Sequence, residues 1–326
     1  MIRRGCASLG TSRDAETLGW VFAPYLTNLR VMRLLHAWPV AAVALLLAVT
    51  GCTAPVAQPA PKRVAPVATT VPGEDPVDLI GLWSVSGAPG QDTKVWMRMD
   101  ENELLLFEPC GVYSGGWRAV QGHFVTEISG GLGGSCSYEK RAEHWLYDVT
   151  GYDQTGHGRV NLTGLTGKVV ASLTTATKGP PHNKNYSDRF TEAPTVGAEA
   201  RDSLAMPAAL PTQATPAIPE GRWIPVQRTG DTDTYLTFVA GAESGAAGRW
   251  EGSDGCNGGS GRWFAGDDGL FEATVSVMTL IGCEGSAAPN WMAEVTRMGM
   301  VDKELTLYDV NGTKLGSLVR DGTVAE

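Results

Sequence analysis

Four cysteines are the residues of this chain whose type and spacing point most directly to chemistry. They recur with tryptophans in one order twice, at steps of 7, 19 and 9 residues and then of 7, 20 and 8 residues: Cys110, Trp117, Cys136, Trp145 and Cys256, Trp263, Cys283, Trp291. Two thiols in each copy suit a disulfide in an oxidising compartment. A zinc site is the alternative, although the chain has no C-x-x-C pair and no histidine lies near either pair of cysteines.

Four cysteines allow three pairings. We expect the pairs Cys110 with Cys136 and Cys256 with Cys283, because a long proline-rich segment separates the two copies. Each bond would close a loop of a size that contributes about 3–4 kcal/mol to stability in the chain-entropy estimate.

The other candidate groups form no recognisable catalytic set. The sequence motifs of serine hydrolases, β-lactamases, zinc proteases and phosphate-binding loops are absent. The histidines that follow the N-terminal region fall at no metal-like spacing: His123, His144, His157 and His182. Asp231, Asp233 and Asp254 near glycine-rich turns leave calcium as an alternative, although the twelve-residue calcium loop is missing. We therefore expect no catalytic residue, no metal and no cofactor.

Tryptophan offers a second kind of site, an aromatic contact surface. Six of the ten tryptophans stand at matching positions of the two copies, which favours core packing: Trp83, Trp117, Trp145, Trp223, Trp263 and Trp291. Trp96 and Trp250 are unmatched, and if they are exposed they are the candidates for contact with a partner.

The elements that must position these residues are predicted to form two tandem modules, 79–177 and 219–322. Short runs of alternating apolar residues, such as 95–99 and 235–239, predict strands. Trp291, Val295 and Met298 stand at i, i+4 and i+7, which predicts a short amphipathic helix that ends near Gly299. A hairpin with its turn at 311–312 follows. The fold class is mainly β (α+β): two small antiparallel barrels or curled sheets, each with one short helix and a closing hairpin.

In the first copy the same helix is predicted from Trp145, Val149 and Tyr152, with Gly151 near its end. The corresponding closing strands are 159–162 and 168–173.

The N-terminal region resembles a bacterial export signal. Residues 40–49 form a ten-residue apolar run, which is too short to span a bilayer but has the length of a signal-peptide core. Val49-Thr50-Gly51-Cys52 resembles a lipobox, so we expect Cys52 to carry lipid such as palmitate. We expect residues 1–51 to be removed, with the true start near Met32. A truncated membrane helix with an incidental cysteine is the alternative.

Two proline-rich segments separate these parts. Residues 52–78 are expected to form an extended tether and residues 178–218 a flexible linker that lets the modules move independently. The net charge is −9, and residues 1–51 contribute +3 from five arginines and two carboxylates, so the chain from Cys52 onward carries −12. An acidic surface argues against binding to nucleic acid.

The second copy resembles a META domain of the kind found in bacterial heat-shock-related envelope lipoproteins. The resemblance rests on Gly221-x-Trp223, on the turn Gly255-Cys256-Asn257, on Thr279 and Cys283, and on the helix that carries Trp291. The first copy departs from it, with Pro109 and Gly111 where the second has Gly255 and Asn257. The resemblance implies a compact β-rich domain without a known catalytic site and a loose link to envelope stress.

Together these features predict a non-enzymatic lipoprotein, held at the extracytoplasmic face of the cell membrane by the lipid on Cys52. We expect a monomer whose twin modules bind or scaffold an envelope protein or glycan, with no nucleic acid involved. The alternative is a secreted carrier or protease-inhibitor-like module, in which each barrel encloses a small-molecule pocket. An enzyme is the third possibility.

Overall fold

The computed structural model describes residues 75–91, 94–134, 144–156, 158–181, 187–228, 233–241, 244–276, 278, 281 and 287–322. The signal region, Cys52 and most of the tether lie outside these residues, as do Cys136, Cys283 and Thr279. Within the described residues no helix has both the length and the apolar character needed to cross a membrane.

The first module is a closed antiparallel barrel of eight strands joined in chain order. A 3₁₀ turn, η1 (Pro76–Leu79), precedes the barrel, and a second one, η2 (Trp145–Asp148), lies between its fifth and sixth strands. The strands are β1 (Gly81–Ser86), β2 (Val95–Met99), β3 (Leu104–Glu108), β4 (Gly111–Val120), β5 (His123–Gly134), β6 (Gly151–Gly156), β7 (Arg159–Thr163) and β8 (Val169–Thr175). We call residues 81–175 module 1.

The second module repeats this order of elements. Its sheet has nine strands, of which the first in the chain, β9 (Thr215–Pro216), comes from the linker and pairs with β15. The others are β10 (Gly221–Pro225), β11 (Thr234–Gly241), β12 (Ser244–Asp254), β13 (Gly258–Ala265), β14 (Phe271–Ala273), β15 (Arg297–Val301), β16 (Glu304–Tyr308) and β17 (Lys314–Arg320). A short helix (Ala288–Trp291) lies between β14 and β15, where module 1 has η2. We call residues 221–320 module 2.

The two modules also close in the same way. An antiparallel pair joins the fifth strand to the sixth in each, His123 with Gly151 and Leu270 with Arg297. Backbone hydrogen bonds flank the pair at matching places: Phe124 to Thr150 (3.0 Å) and Tyr152 to Gly122 (2.8 Å) in module 1, Phe271 to Thr296 (2.9 Å) and Met298 to Gly269 (2.8 Å) in module 2. The prediction of two mainly-β curled-sheet modules is therefore confirmed, and the second is a duplicate of the first in topology.

Apolar side chains fill the interior of both modules. Alternate residues of the strands point inward and are buried, which is the period-two pattern expected of a barrel. The fully buried side chains of module 1 include Met97, Met99, Leu104, Leu106, Trp117 and Ile128, and those of module 2 include Leu236, Phe238, Trp263, Phe271, Leu305 and Leu318. At about 1.5–3 kcal/mol for each large apolar side chain removed from water, these cores are the main source of stability.

The predicted amphipathic helix is shorter than expected. The helical residues are only 145–148 and 288–291, so the predicted stripe continues from helix into strand. Met298 and Gly299 lie in β15, and Gly151 and Tyr152 lie in β6. Val295, Met298 and their counterparts are nevertheless buried, so the stripe was core-facing as predicted. A period of 3.6 could not be told from a turn followed by a strand, because only three apolar positions carried the signal.

The segment predicted to be a flexible linker is described over 178–181 and 187–218, and its flexibility stays a prediction. This segment contains η3 (Asp188–Thr191), the helix α1 (Ala198–Ser203) and β9; the helix at Ala288–Trp291 is therefore α2. Ala200 and Leu204 are buried in the core of module 1. Ala208 bonds to Val310 of module 2 through its backbone N–H (2.9 Å). Because the linker packs against both modules, the structure gives no support to their independent motion.

Candidate functional site

Equivalent turns of the two modules each carry a cysteine. Cys110 lies between β3 and β4 and Cys256 between β12 and β13, and each is disulfide-bonded. Their predicted partners, Cys136 and Cys283, lie outside the described residues, so the pairing within each module stays a prediction.

The turn that carries the family resemblance serves packing. Gly255 has a φ of 98°, which favours glycine. Asn257 is buried, and its side chain donates to Asp254 Oδ2 and Ile281 O (both 2.8 Å) and accepts from Ile281 N (2.7 Å). The turn is thereby fastened to the segment that leads to Cys283. The pKa of Asp254 is raised by burial but lowered more by hydrogen bonds from Asn257 and Cys256, so it lies below its usual value.

The two tryptophans singled out for partner contact differ in burial. Trp250 is 1% exposed, and its Nε1 donates to Thr274 O at 2.8 Å, so it belongs to the core of module 2. Trp96 is half-buried, and its Nε1 donates to Lys178 O at 3.1 Å. It packs in a small outer cluster with Phe107 of β3 and Phe190 of the linker. The assignment of Trp250 to a contact surface is therefore corrected, because its side chain is buried, whereas the assignment of Trp96 stays a prediction.

Of the six matched tryptophans, five are buried as predicted: Trp83, Trp117, Trp145, Trp223 and Trp263. Trp291 is the exception, since it is only half-buried. Its ring lies against Gly316, where a Cβ atom would come within 2.3 Å of the ring. A glycine there lets the ring pack flat on the backbone of β17 while its outer edge faces a surface cleft.

Of the four candidate histidines, His123 and His144 lie within the described residues. His144 is buried; its Nδ1 accepts from Leu146 N (3.2 Å), so the proton sits on Nε2, which lies 3.2 Å from Glu108 Oε1. Burial raises the pKa of Glu108, but the interaction with His144 and the hydrogen bond from Gln91 lower it more, so the pKa lies below its usual value. Both ring nitrogens of His144 are committed within the protein, so this pair serves packing better than proton transfer. His157 and His182 lie outside the described residues.

The aspartates considered for calcium are engaged elsewhere. Asp233 forms an ion pair with Arg222 at 2.7 Å, and Asp254 accepts the hydrogen bonds of its own turn. Asp231 lies outside the described residues. Within the described part of the chain no group of three or more His, Cys, Asp or Glu side chains is placed to hold a metal ion.

The modules pack through the same pair of strands from each. β4 and β5 of module 1 face β13 and β14 of module 2. Arg118 of β4 donates to Ala293 O (3.1 Å), and Arg262 of β13 donates to Tyr147 O (3.3 Å). Tyr147 and Ala293 each lie two residues after a matched tryptophan, so the two contacts are reciprocal. The interface thus has an approximate two-fold character, which the sequence repeat alone does not reveal.

Titratable groups lie in this interface. His123 stacks on Phe264 with ring centroids 3.9 Å apart, and burial lowers the pKa of His123 to about 4. Glu272, which pairs with Phe264 in register, is 6% exposed, and burial raises its pKa to about 8 although Arg118 and Arg297 oppose that shift. Glu127 is also buried and forms an ion pair with Arg249 of module 2 at 3.5 Å.

A cleft of about 600 Å³ opens at the edge of the interface; we call it the module 1 cleft. It is formed by the segment after β1, by η2 and by the turn into β8, and module 2 contributes part of one wall. The lining residues are Gly87, Pro89, Tyr147, Asp148, Thr150, Gly164, Leu165, Thr166, Lys168, Val169, Val170, Gly241, Ala247, Gly248 and Arg262.

Module 2 has a cleft of similar volume, about 600 Å³, at the matching place; we call it the module 2 cleft. It too is formed by the segment after the first strand, the short helix and the start of the last strand. The lining residues are Val226, Gln227, Arg228, Ala287, Trp291, Glu304, Lys314, Leu315, Gly316 and Ser317.

The two clefts share chemistry as well as place. Each has an aromatic residue from the short helix, Tyr147 or Trp291, and a lysine near the last strand: Lys168 just before β8 and Lys314 as the first residue of β17. Each is lined by two cations and one carboxylate, in a chain that carries −12 from Cys52 onward. Two positively charged clefts on an acidic protein attract anionic groups selectively.

Sequence reasoning missed both clefts and the interface. Lys168 and Lys314 each lie 23 residues after a matched tryptophan, and that spacing could have been read, although the strand register aligns Lys314 with Val169. Arg262 could not, since it has no charged counterpart in the first copy and depends on the packing of one module against the other. No protein family, curated protein or solved structure matches this chain.

Proposed function

We propose that this protein is an exported lipoprotein, anchored at the extracytoplasmic face of the membrane through Cys52, whose twin META-like modules bind an envelope component without catalysing a reaction. The observation that carries the proposal is the recurrence of one cleft at equivalent places of two duplicated modules. Duplication of a binding surface on one chain increases avidity without new contacts. The partner is a protein or glycan of the envelope.

The filled barrels count against the alternative of a small-molecule carrier. That alternative needs an apolar cavity within a barrel, whereas Met97, Trp117 and Phe238 are among the side chains that occupy these interiors. The clefts described above lie on the outside of the barrels and suit an extended ligand better than an enclosed one.

Photo-crosslinking in cells tests the binding role. A photoreactive amino acid is placed at Val169 in the module 1 cleft, at Lys314 in the module 2 cleft and, as a control, at Ile218, which is exposed outside both clefts. We expect the two cleft positions to capture the same envelope partner and the control position to capture none. Absence of any product from the cleft positions, or equal products from all three, would contradict the proposal.

The anchor is tested separately. Metabolic labelling with a palmitate analogue should mark the wild-type protein in the membrane fraction, and Cys52→Ser should abolish both the label and the membrane association. Labelling that survives in Cys52→Ser would place the lipid elsewhere.

A further inference from the structure

Arg262 gives the module 1 cleft a feature that the module 2 cleft lacks, a half-buried cation at its wall. Its Nη2 donates to Tyr147 O at 3.3 Å, and its guanidinium carbon lies 4.9 Å from the centroid of the Tyr147 ring. Within the described part of the chain its other side-chain N–H groups have no acceptor. A guanidinium carries five N–H donors, so Arg262, which lines the cleft, keeps donors that can bind a carboxylate through two parallel bonds.

The charges around Arg262 leave it available to an anion. Burial lowers the pKa of its guanidinium, an effect that the nearby Glu127 opposes and Arg249 reinforces. Glu127 forms an ion pair with Arg249 at 3.5 Å. Asp148 lines the cleft as well; it is exposed, and its charge opposes the lowering of the Arg262 pKa by burial. A partly dehydrated cation gains more from a bound anion than one fully in water does.

Apolar side chains stand beside this cation. Leu165 and Val169 are 38% and 46% exposed, and both line the cleft together with Val170. An apolar wall next to an arginine fork complements a ligand in which a carboxylate is joined to an apolar group.

We infer that the module 1 cleft binds the carboxylate of an apolar chain end, with Arg262 as the anchor, Lys168 as the second cation and Leu165 and Val169 as the apolar wall. This inference rests on the proposed binding function and names the class of ligand for one of its two clefts. The carboxylate comes either from a peptide C-terminus or from a fatty acid, and the experiment distinguishes these two sources.

Calorimetry on the chain from residue 52 with Cys52→Ser, which contains the whole described fold, tests the inference. The probes are acetyl-Leu-Leu with a free carboxylate, the same dipeptide as carboxamide, octanoate, and inorganic phosphate. We expect the free dipeptide to bind at least about tenfold more tightly than its carboxamide, because a hydrogen-bonded charge is lost in the latter. Tighter binding of octanoate than of the dipeptide would assign the site to fatty acids. Phosphate should bind more weakly than either.

Variants of the chain identify the residues. Arg262→Gln should weaken binding of the preferred carboxylate on the order of tenfold, Lys168→Gln a few-fold, and the matched control Lys303→Gln, an exposed lysine outside the cleft, not at all. Arg262→Lys keeps the charge but not the fork, and should restore only part of the affinity. If Arg262→Gln proves unstable in a thermal melt, Leu165→Asp and Lys168→Glu take its place, and each should weaken binding.

Three results would overturn the inference: no carboxylate binding at about 10 mM, equal binding of dipeptide and carboxamide, or unchanged affinity in the cleft variants. Phosphate binding as tight as that of the carboxylates would show that the apolar wall contributes nothing to binding. Failure of this inference can be told from failure of the proposed function. If crosslinks from the clefts form in cells but no carboxylate binds, the proposed function still holds. Carboxylate binding without crosslinks would leave the ligand class standing and refute the envelope partner.

Discussion

The two modules close their barrels with the same backbone bonds but with different side chains. In module 1 the seam residue of the sixth strand is Gly151, where a Cβ atom would come within 2.9 Å of Gly122 O. In module 2 the matching residue is Arg297, which is buried and forms an ion pair with Asp268 at 2.6 Å. Arg297 also donates to Ala208 O of the linker at 3.0 Å. One module is closed by tight backbone approach, the other by a cation that also fastens the linker.

This difference shows what duplication conserves and what it leaves free. Strand order, the position of the short helix and the closing hydrogen bonds recur, because they follow from backbone geometry that any suitable apolar core supports. The polar side chains at the seam, at the cysteine turn and in the interface do not recur. The two modules therefore use different side chains at these three places. The following changes should distinguish one module from the other.

The largest effect is expected from the disulfides, which should matter equally to both modules. Cys110→Ser and Cys256→Ser should each lower the free energy of unfolding by about 3–4 kcal/mol, because the unfolded chain loses the closure of a loop. Urea denaturation of each variant measures this loss, and peptide mapping without reductant identifies the pairs. Bonds from Cys110 to Cys136 and from Cys256 to Cys283 are expected. A disulfide that joins one module to the other would contradict the prediction that each module forms its own bond.

Replacement of Arg297 should affect module 2 alone. Arg297→Leu should cost about 3 kcal/mol, since it leaves the Ala208 carbonyl and the Asp268 carboxylate without their buried donor. Hydrogen exchange should locate the loss at β14, β15 and the adjoining linker, while the seam of module 1 stays protected. The control Lys303→Gln, at an exposed site, should change stability by no more than about 0.5 kcal/mol. Equal loss of protection at both seams would mean that the modules unfold as one.

The sequence predicted the parts of this fold that follow from period and repetition. The strand 95–99 matches β2 at both ends, and the closing hairpin around Gly312 forms with that glycine at φ 79°. The two barrels follow from such strands together with the repeat. The packing of the linker against module 1 was not predicted, because its few buried residues, Ala200 and Leu204, are sparse among prolines and polar residues. The local sequence does not indicate the surface on which these two residues pack.

The candidate site was less predictable for a related reason. Trp250 was assigned to a contact surface because no tryptophan matches it in the first copy, yet its buried hydrogen bond to Thr274 explains its presence. The module 1 cleft depends on which side chains meet across the modules, as Arg262 and Tyr147 do. Such pairs are far apart in sequence, and neither periodicity nor spacing reports them.

The cysteine turn offers a smaller test of the same comparison. Asn257→Ala should cost module 2 about 2 kcal/mol, because the backbone N–H and C=O of Ile281 lose their partner. Module 1 has Gly111 at the matching place, so it has no equivalent sensitivity. Asn311→Ala, the same substitution in an exposed hairpin turn, should change the free energy of unfolding by less than about 0.5 kcal/mol. Similar losses in both variants would show that the buried bonds of Asn257 add little.

The smallest effect is expected for the change in stability per pH unit. It arises from one titratable group in each module, and the two groups act in opposite directions. His123 has a folded pKa of about 4 against 6.5 when unfolded, so its contribution to stability is lost as pH falls from 6.5 towards 4. Glu272 has a folded pKa of about 8 against 4.5, so its contribution is present below 4.5 and lost as pH rises towards 8. Each group changes stability by at most about 1.4 kcal/mol per pH unit.

These opposite slopes predict the shape of the pH profile from the two groups. Between pH 4.5 and 6.5 they cancel and stability is flat, whereas between 6.5 and 8 only Glu272 acts and stability falls. Urea denaturation at half-unit steps should show that Glu272→Gln removes the fall above pH 6.5, while His123→Gln makes the fall begin near pH 4.5. Because His123 belongs to module 1 and Glu272 to module 2, identical profiles for the wild type and both variants would mean that the interface is open to solvent.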